Sequence, residues 1–532
     1  MRPKIMNHAL STTRTLLAAI VAIALQTATA HAAAPGITGP TFNLTAQPAY
    51  LTQPDGQSIY SWGYGCSVQP TGWAPTAITA PSTGCPSMQV PGPTLIVTEG
   101  DTVTVKLTNN LPASAGNTSI LFPGFTMSAF TDGTPGLLTQ EAAPGATVTY
   151  SFVAPSPGTR SYYSGTQSDL QIEMGMYGAM IVLPKSAPAA CSTGIYASNA
   201  SARSHWGEKN FRLADAAYDN AKTCYDREYL FQFSEIDPNV HLQAESQVAA
   251  CSATNAPVPC TLQVPTEPYH PAYFMINGRS MPDDMDPNYA LEYPHQPYNG
   301  NPHMHPGELV LLRIIGQGRW QHPFHEHANH VRILARDGNL ILTKDGNALA
   351  GPALFTTTTT PGLAMDGIFY YTGRGLNWDM YGHNPKSPNT KTDSLVDPPC
   401  VPDANGYNTG DPTAVNYFEW CQDHEKPVQA APFGDIASGG PVTLPDPNIL
   451  TNGAWYGGSP YLGPNATARA VGSTGTTPPS GTIANSPTGE AGFAFMWHSH
   501  NEREITTNNA FPGGMMMMML VDSREFVIDE TN

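Results

Sequence analysis

The chain has 532 residues, of which 12% are charged, and a formal net charge of −18. No basic surplus is available to neutralise phosphates, which excludes nucleic acid as a partner; the acidic excess serves solubility and concentrates metal cations nearby. The 51 Pro and 49 Gly cut the sequence into short segments, which points to an all-β fold of roughly two to four domains rather than to long helices.

Arg2, Lys4 and Arg14 precede the apolar run Leu16 to Leu25, and Ala30-His31-Ala32 offers small residues for cleavage. Residues 1–32 read as a secretory signal peptide cut after Ala32, and the mature chain as an exported protein of the periplasm or the extracellular space. The run is too short to cross a bilayer and no later stretch is long enough, so no membrane span is expected. Eight cysteines suit an oxidising compartment: Cys66, Cys85, Cys191, Cys224, Cys251, Cys260, Cys400 and Cys421. Sequence neighbours fall into pairs across short loops, so four disulfides joined nearest to nearest are expected, although spacing alone does not establish connectivity. None stands in a C-x-x-C pair or beside a histidine motif, which argues against cysteine as a metal ligand.

Residues 41–185 read as one β unit. Thr94 to Val97 follow Pro91-Gly92-Pro93, and Glu99-Gly100-Asp101 turns into a strand in which Val103, Val105 and Leu107 share one face. Val148, Tyr150 and Phe152 alternate in the same way, and Tyr177 to Val182 close the unit, a Greek-key sandwich. Residues 186–225 read as a polar connector, and a second β unit spans 226–532. It holds strands at Tyr229 to Phe233, Phe274 to Ile276, Leu309 to Ile315, Val331 to Leu334, Phe493 to Trp497 and Met515 to Val521. From about 372 to 488 Pro, Gly, Asn, Ser and Thr dominate, and this stretch reads as a surface insertion pinned by Cys400 and Cys421.

Two segments of the second unit carry metal-binding chemistry. One is His322-Pro323-Phe324-His325-Glu326-His327, followed by His330; the other is His498-Ser499-His500, just after Trp497. Alternate residues of a strand share a face, so His325 and His327 can present two imidazoles to one ion, and His498 and His500 repeat that geometry. Two such strands meeting in one sandwich would surround a metal with four imidazoles, which suit copper, zinc or iron. Lone His205, His241 and His383 read as exposed or hydrogen-bonded core residues. His303-Met304-His305 reads as a surface loop, at most an opportunistic metal site. Most of Met515 to Met519 suits core packing, since alternate methionines of a strand face opposite sides.

The Pro-Gly-Pro and Glu-Gly-Asp turns, Phe-x-Ile-Asn-Gly-Arg at 274–279, the paired histidine motifs and Gly513-Gly514-Met515 resemble the multicopper oxidase family over nearly the whole mature chain. The resemblance implies tandem cupredoxin-like Greek-key β-sandwich domains and copper as cofactor. The closeness of 274–279 to the histidine motifs favours two domains, with three as the alternative. In the family, eight histidines hold a three-copper cluster between the first and last domains, four from each. The resemblance assigns the C-terminal four to His325, His327, His498 and His500. Leu121-Phe122-Pro123-Gly124 stands where the family has His-Trp-His-Gly, and Ser161-Tyr162-Tyr163-Ser164-Gly165 where it has Trp-Tyr-His-Ser-His.

At the type-1 copper position His322 matches one histidine, Ser499 replaces the cysteine, Glu504 takes the place of the second histidine and Met515 matches the axial ligand. A hydroxyl does not supply the soft sulfur of such a site. Either His322, Glu504 and Met515 form a harder, redox-sluggish site for copper or zinc, or Glu504 pairs with Arg503 or solvent. Two functions follow from the resemblance. One is an exported protein that binds one or two copper ions through the four-histidine half-site and has lost laccase-type four-electron reduction of dioxygen. The alternative is an active copper-dependent oxidoreductase acting on a metal ion or a small reductant. Two-domain members of the family often form trimers, and a homo-trimer is left open.

Overall fold

A computed structural model describes residues 34–77, 84–374, 401–422, 458–462, 483–484, 492–524 and 526–530. The signal-peptide segment, His383, Cys400 and most of the 372–488 stretch lie outside these residues.

Strands form where alternation gives one face a core. Along Thr102–Asn109, Val103, Val105 and Leu107 are buried while Lys106 is exposed, and Thr147–Val153 pairs antiparallel with it, Tyr150 opposite Val105. With Ser58–Cys66, Thr41–Thr52 and Met127–Thr131 they make a five-stranded sheet. A second five-stranded sheet has Gly92–Thr98 and Tyr177–Leu183 running parallel at its centre. The core between the two holds Trp62, Leu95, Phe152, Tyr162 and Met180.

A third sheet is built on Arg227–Ile236, Leu309–Gly316 and Ala364–Tyr370. Every residue of Arg227–Ile236 is buried, as expected of a parallel strand covered on both faces. The fourth sheet runs His303–Met304, Met516–Asp522, Gly492–Ser499, His322–His325, Thr356–Thr359. Between the third and fourth lie Phe233, Leu312, Phe324, Trp497, Met515, Met517 and Met519. The outer face of the third sheet rests on the second through Leu230, Ile315 and Ala364 against Ile96, Ala179 and Ile181. Thr159 donates to Asp366 and Ser161 to Gln317 across the same seam. Four sheets thus stack in two β-sandwiches, with the histidine-bearing sheet at the far end from the first sandwich.

Three features depart from the sequence reading. The polar connector contains a helix, Gly194–Trp206, ended by Gly207 at φ 78°. A second helix, Pro238–Cys251, starts on Asp237, whose side chain accepts from the Asn239 N–H. An acidic cap followed by proline is a legible helix start, and Val240, Ala244 and Val248, four apart, bury one face in the first sandwich's core. Within 372–488, Gly458–Leu462 joins the fourth sheet beside Gly492–Ser499, and Tyr417 and Trp420 are buried, so these parts are not a surface loop. The disulfides Cys66–Cys85, Cys191–Cys224 and Cys251–Cys260 form as nearest neighbours, and Cys421 is also disulfide-bonded.

Candidate metal centre

Strand register brings the two histidine motifs together. His322–His325 pairs antiparallel with Gly492–Ser499, placing His325 opposite His498 and Phe324 opposite Ser499. Phe324 and Trp497 point into the core, so pleat alternation sends His325 and His498 to the other face. There four imidazoles gather. Ring centroids of His325 lie 4.7 Å from His327, 5.8 Å from His498 and 5.1 Å from His500. His498 lies 5.1 Å from His327 and 5.5 Å from His500.

The closest nitrogens are His498 Nε2 and His327 Nε2, 3.3 Å apart. Imidazole–metal bonds of about 2.0–2.1 Å around a tetrahedral ion would separate ligating nitrogens by roughly 3.3 Å and ring centroids by roughly 5 Å. Five of the six ring pairs lie near that spacing. Among the described residues no group of three or more His, Cys, Asp or Glu is already arranged to hold a metal ion. His325 Nδ1 is 3.0 Å from Thr356 Oγ1 and His498 Nδ1 is 2.7 Å from the Ser499 carbonyl. His325 and His327 are buried, His498 is half-buried and His500 exposed, so the last two have room to turn. Burial, reinforced by the His500 and His498 imidazoles, pushes His325 down to about 4, and burial lowers His498 as well. Neutral imidazole is the form that ligates a metal.

The same alternation turns His322 and Ser499 inward, and Glu504 meets them from the turn that follows the strand. His322 Nε2 is 3.0 Å from Glu235 Oε2, and its Nδ1 is 3.0 Å from Glu504 Oε2, the latter at a poorer angle for a hydrogen bond. Burial works against charge on this ring, but the two carboxylates outweigh it and raise His322 to about 9. The Ser499 hydroxyl donates to Glu504, which also accepts from Asn501 Nδ2 at 2.9 Å. Glu504 is buried and pairs with His322, Ser499 and Asn501, which corrects the reading that it meets Arg503 or solvent. Arg503 instead donates to Asn509 Oδ1 and to the Pro271 carbonyl. Met515 is fully buried in the core, and its backbone binds both Ser499 and Glu504. Sequence reasoning missed Glu235, which lies 87 residues before His322 and also accepts from Tyr269 and the Arg319 and Trp320 N–H groups. No local motif announces it.

His303-Met304-His305 is not a surface loop. Both imidazoles are 1% exposed; His303 Nδ1 is 2.6 Å from Asp522 Oδ2 and His305 Nε2 is 2.8 Å from Glu208 Oε2. They close a buried ion-pair cluster in which Arg227 bridges Glu208 and Glu308. His241 is a hydrogen-bonded core residue, its nitrogens on the Tyr60 and Glu173 carbonyls.

Comparison with known proteins finds similarity over one segment of the chain. The multicopper oxidase family profile matches residues 68–187. The chain is 37% identical over 99 residues to multicopper oxidase MCE of Talaromyces pinophilus, which is 18% of this chain and 16% of that protein. It is 41% identical over 93 residues to copper resistance protein A of Escherichia coli, 18% of this chain and 14% of that protein. The chain thus carries a segment similar to the multicopper oxidase family, and it spans under a fifth of the length of these relatives. Among solved structures, multicopper oxidase mgLAC aligns over 92% of this chain and 88% of its own at 15% identity and TM-score 0.43. The blue copper oxidase of Nitrosomonas europaea aligns over 90% and 85%, again at 15% identity and TM-score 0.43. Copper is the cofactor the family implies. Among the described residues no helix is long and apolar enough to cross a membrane.

Proposed function

We propose that the chain is an exported copper-binding member of this family, holding one or two ions on His325, His327, His498 and His500. The observation that carries this reading is the gathering of four imidazole rings, five of whose six pairs have centroids 4.7–5.8 Å apart, from two segments distant in sequence. Copper held there would supply Lewis acidity or a slow one-electron couple. The chain's own part is to place His325 opposite His498 by strand register, with His327 and His500 brought in just past the strand ends.

Laccase-type reduction of dioxygen to water is lost in this reading. Ser499 brings no thiolate, and His322, kept protonated between Glu235 and Glu504, offers no lone pair to a metal. A second ion on His322, Glu504 and Met515 would first have to displace that proton. A homo-trimer would let another copy cover the histidine face, which the four-layer stack turns away from the chain's own first sandwich.

The test is copper content after loading and desalting, with an electron paramagnetic resonance spectrum of the same sample. About one copper per chain with a tetragonal spectrum supports the proposal, and the His325→Ala/His498→Ala variant should lose it. Stoichiometric copper retained by that variant overturns the site. Three or more coppers, or dioxygen consumption with a metal ion or small reductant, would restore the oxidase alternative. Light scattering at several concentrations checks the trimer.

A further inference from the structure

A cavity of about 740 Å³ opens on the second sandwich beside the helix Gly194–Trp206. Its volume lies within the range of about 300–1,000 Å³ common for small-molecule sites. Leu309, Leu334 and Ile368 supply an apolar floor, while Lys222, Arg332 and His330 stand at the rim. We propose that this cavity is a binding site for a small amphipathic organic anion, an aromatic carboxylate in particular.

Three observations carry the assignment. Lys222 and Arg332 are exposed, and neither has a carboxylate partner among the described residues, although acids outnumber Lys and Arg by 42 to 24. Two unpaired cations over one apolar floor make a local positive field in a chain of net charge −18. Arg332 is already aimed, since one guanidinium nitrogen donates to the Gly351 carbonyl at 2.6 Å, leaving the rest of its planar fork to take a carboxylate. The walls are braced as well: Cys224 lines the cavity and is tied to Cys191, just ahead of the helix whose Ile195 also lines it. Asp226, the acid behind the floor, is buried and engaged by the Leu309 N–H and Asn199, so it does not compete for the rim cations.

The floor takes an apolar body and the rim takes the charge. The His330 ring also meets Phe355 at 5.2 Å, and Phe355 meets His325 at 5.7 Å, so a bound anion would sit two ring contacts from the histidine cluster. The inference does not depend on copper binding, because none of its residues is a proposed ligand.

The experiment is calorimetric titration of the full chain with naphthalene-2-carboxylate and, separately, with its uncharged amide. The carboxylate should bind at one site at least tenfold more tightly than the amide. Lys222→Ala/Arg332→Ala should abolish that preference and leave amide binding unchanged, while Ile195→Trp should remove both by filling the cavity. Lys222→Glu alone, at an exposed position, should cut carboxylate affinity with an unchanged melting curve. Absence of saturable binding, equal affinity for the two compounds, or a preference that survives the double variant overturns the proposal.

Discussion

The two sandwiches are built from the same alternating strands, yet their corresponding sites hold opposite chemistry. In the second, His325, His327, His498 and His500 bring imidazoles together on one face. In the first, the positions that resemble the family's other histidine motifs are filled by an aromatic plug and closed hydroxyl pairs. Phe122 lies 4.9 Å from Phe152 and 5.8 Å from Tyr150. Ser164 and Thr118 both donate to Gln171, Ser119 pairs with Thr166, and Thr166 donates to Glu141. The family profile matches this first region, at 68–187. Strand pattern and turn chemistry preserve a fold without any need to preserve its metal site.

Ways to break that contrast begin with the largest effect. Replacing His325 and His498 together should lower retained copper at least tenfold, read by metal analysis, because two of four donors are lost. In the first sandwich the corresponding cost is to folding. Phe122→Ala removes a buried ring and should destabilise by about 3–5 kcal/mol in denaturant titration, with copper content unchanged. Removing the Cys66–Cys85 bridge should cost about 2–5 kcal/mol and again leave copper in place.

The pH response sharpens the comparison further. Burial raises Glu173 to about 8, against an ordinary carboxyl near 4.5, although Tyr269 and the Asp237 N–H donate to it. A raised folded-state pKa contributes stability below the unfolded value that is lost as pH climbs through the folded one. His322, raised to about 9, has the same sign over a higher range, from its ordinary 6.5 upward. The melting temperature should fall between pH 5 and pH 8, and Glu173→Gln should flatten that fall, as followed by circular dichroism. The smallest effect belongs to His205→Ala at the end of a surface helix. It should move stability by less than about 0.5 kcal/mol and leave copper binding unchanged.

Much of the fold was legible in the sequence. Val103, Val105 and Leu107, or Val148, Tyr150 and Phe152, reveal their strands by period two, because the pleat itself imposes it. Three disulfides follow from neighbour spacing. The helix Pro238–Cys251 departs from the all-β pattern that the Pro/Gly-rich composition suggests, although Asp237-Pro238 signals its start. His303-Met304-His305, an H-x-H beside a Pro-Gly turn, has the sequence of an exposed segment. Only Glu208 and Asp522, 97 residues before His305 and 219 after His303, make it a buried pair of hydrogen-bonded side chains.

For the site itself, the sequence determined that His325 and His498 each stand on a strand out of phase with a core aromatic, since alternation is a local property of the chain. It also determined that Ser499 brings oxygen where the family brings sulfur. Only the tertiary structure decided that the two strands meet in register, that four rings gather, and that Glu235 and Glu504 hold His322 between them. A histidine's availability to a metal depends on what faces its two nitrogens, and those partners arrive from the far side of a core that no local spacing encodes.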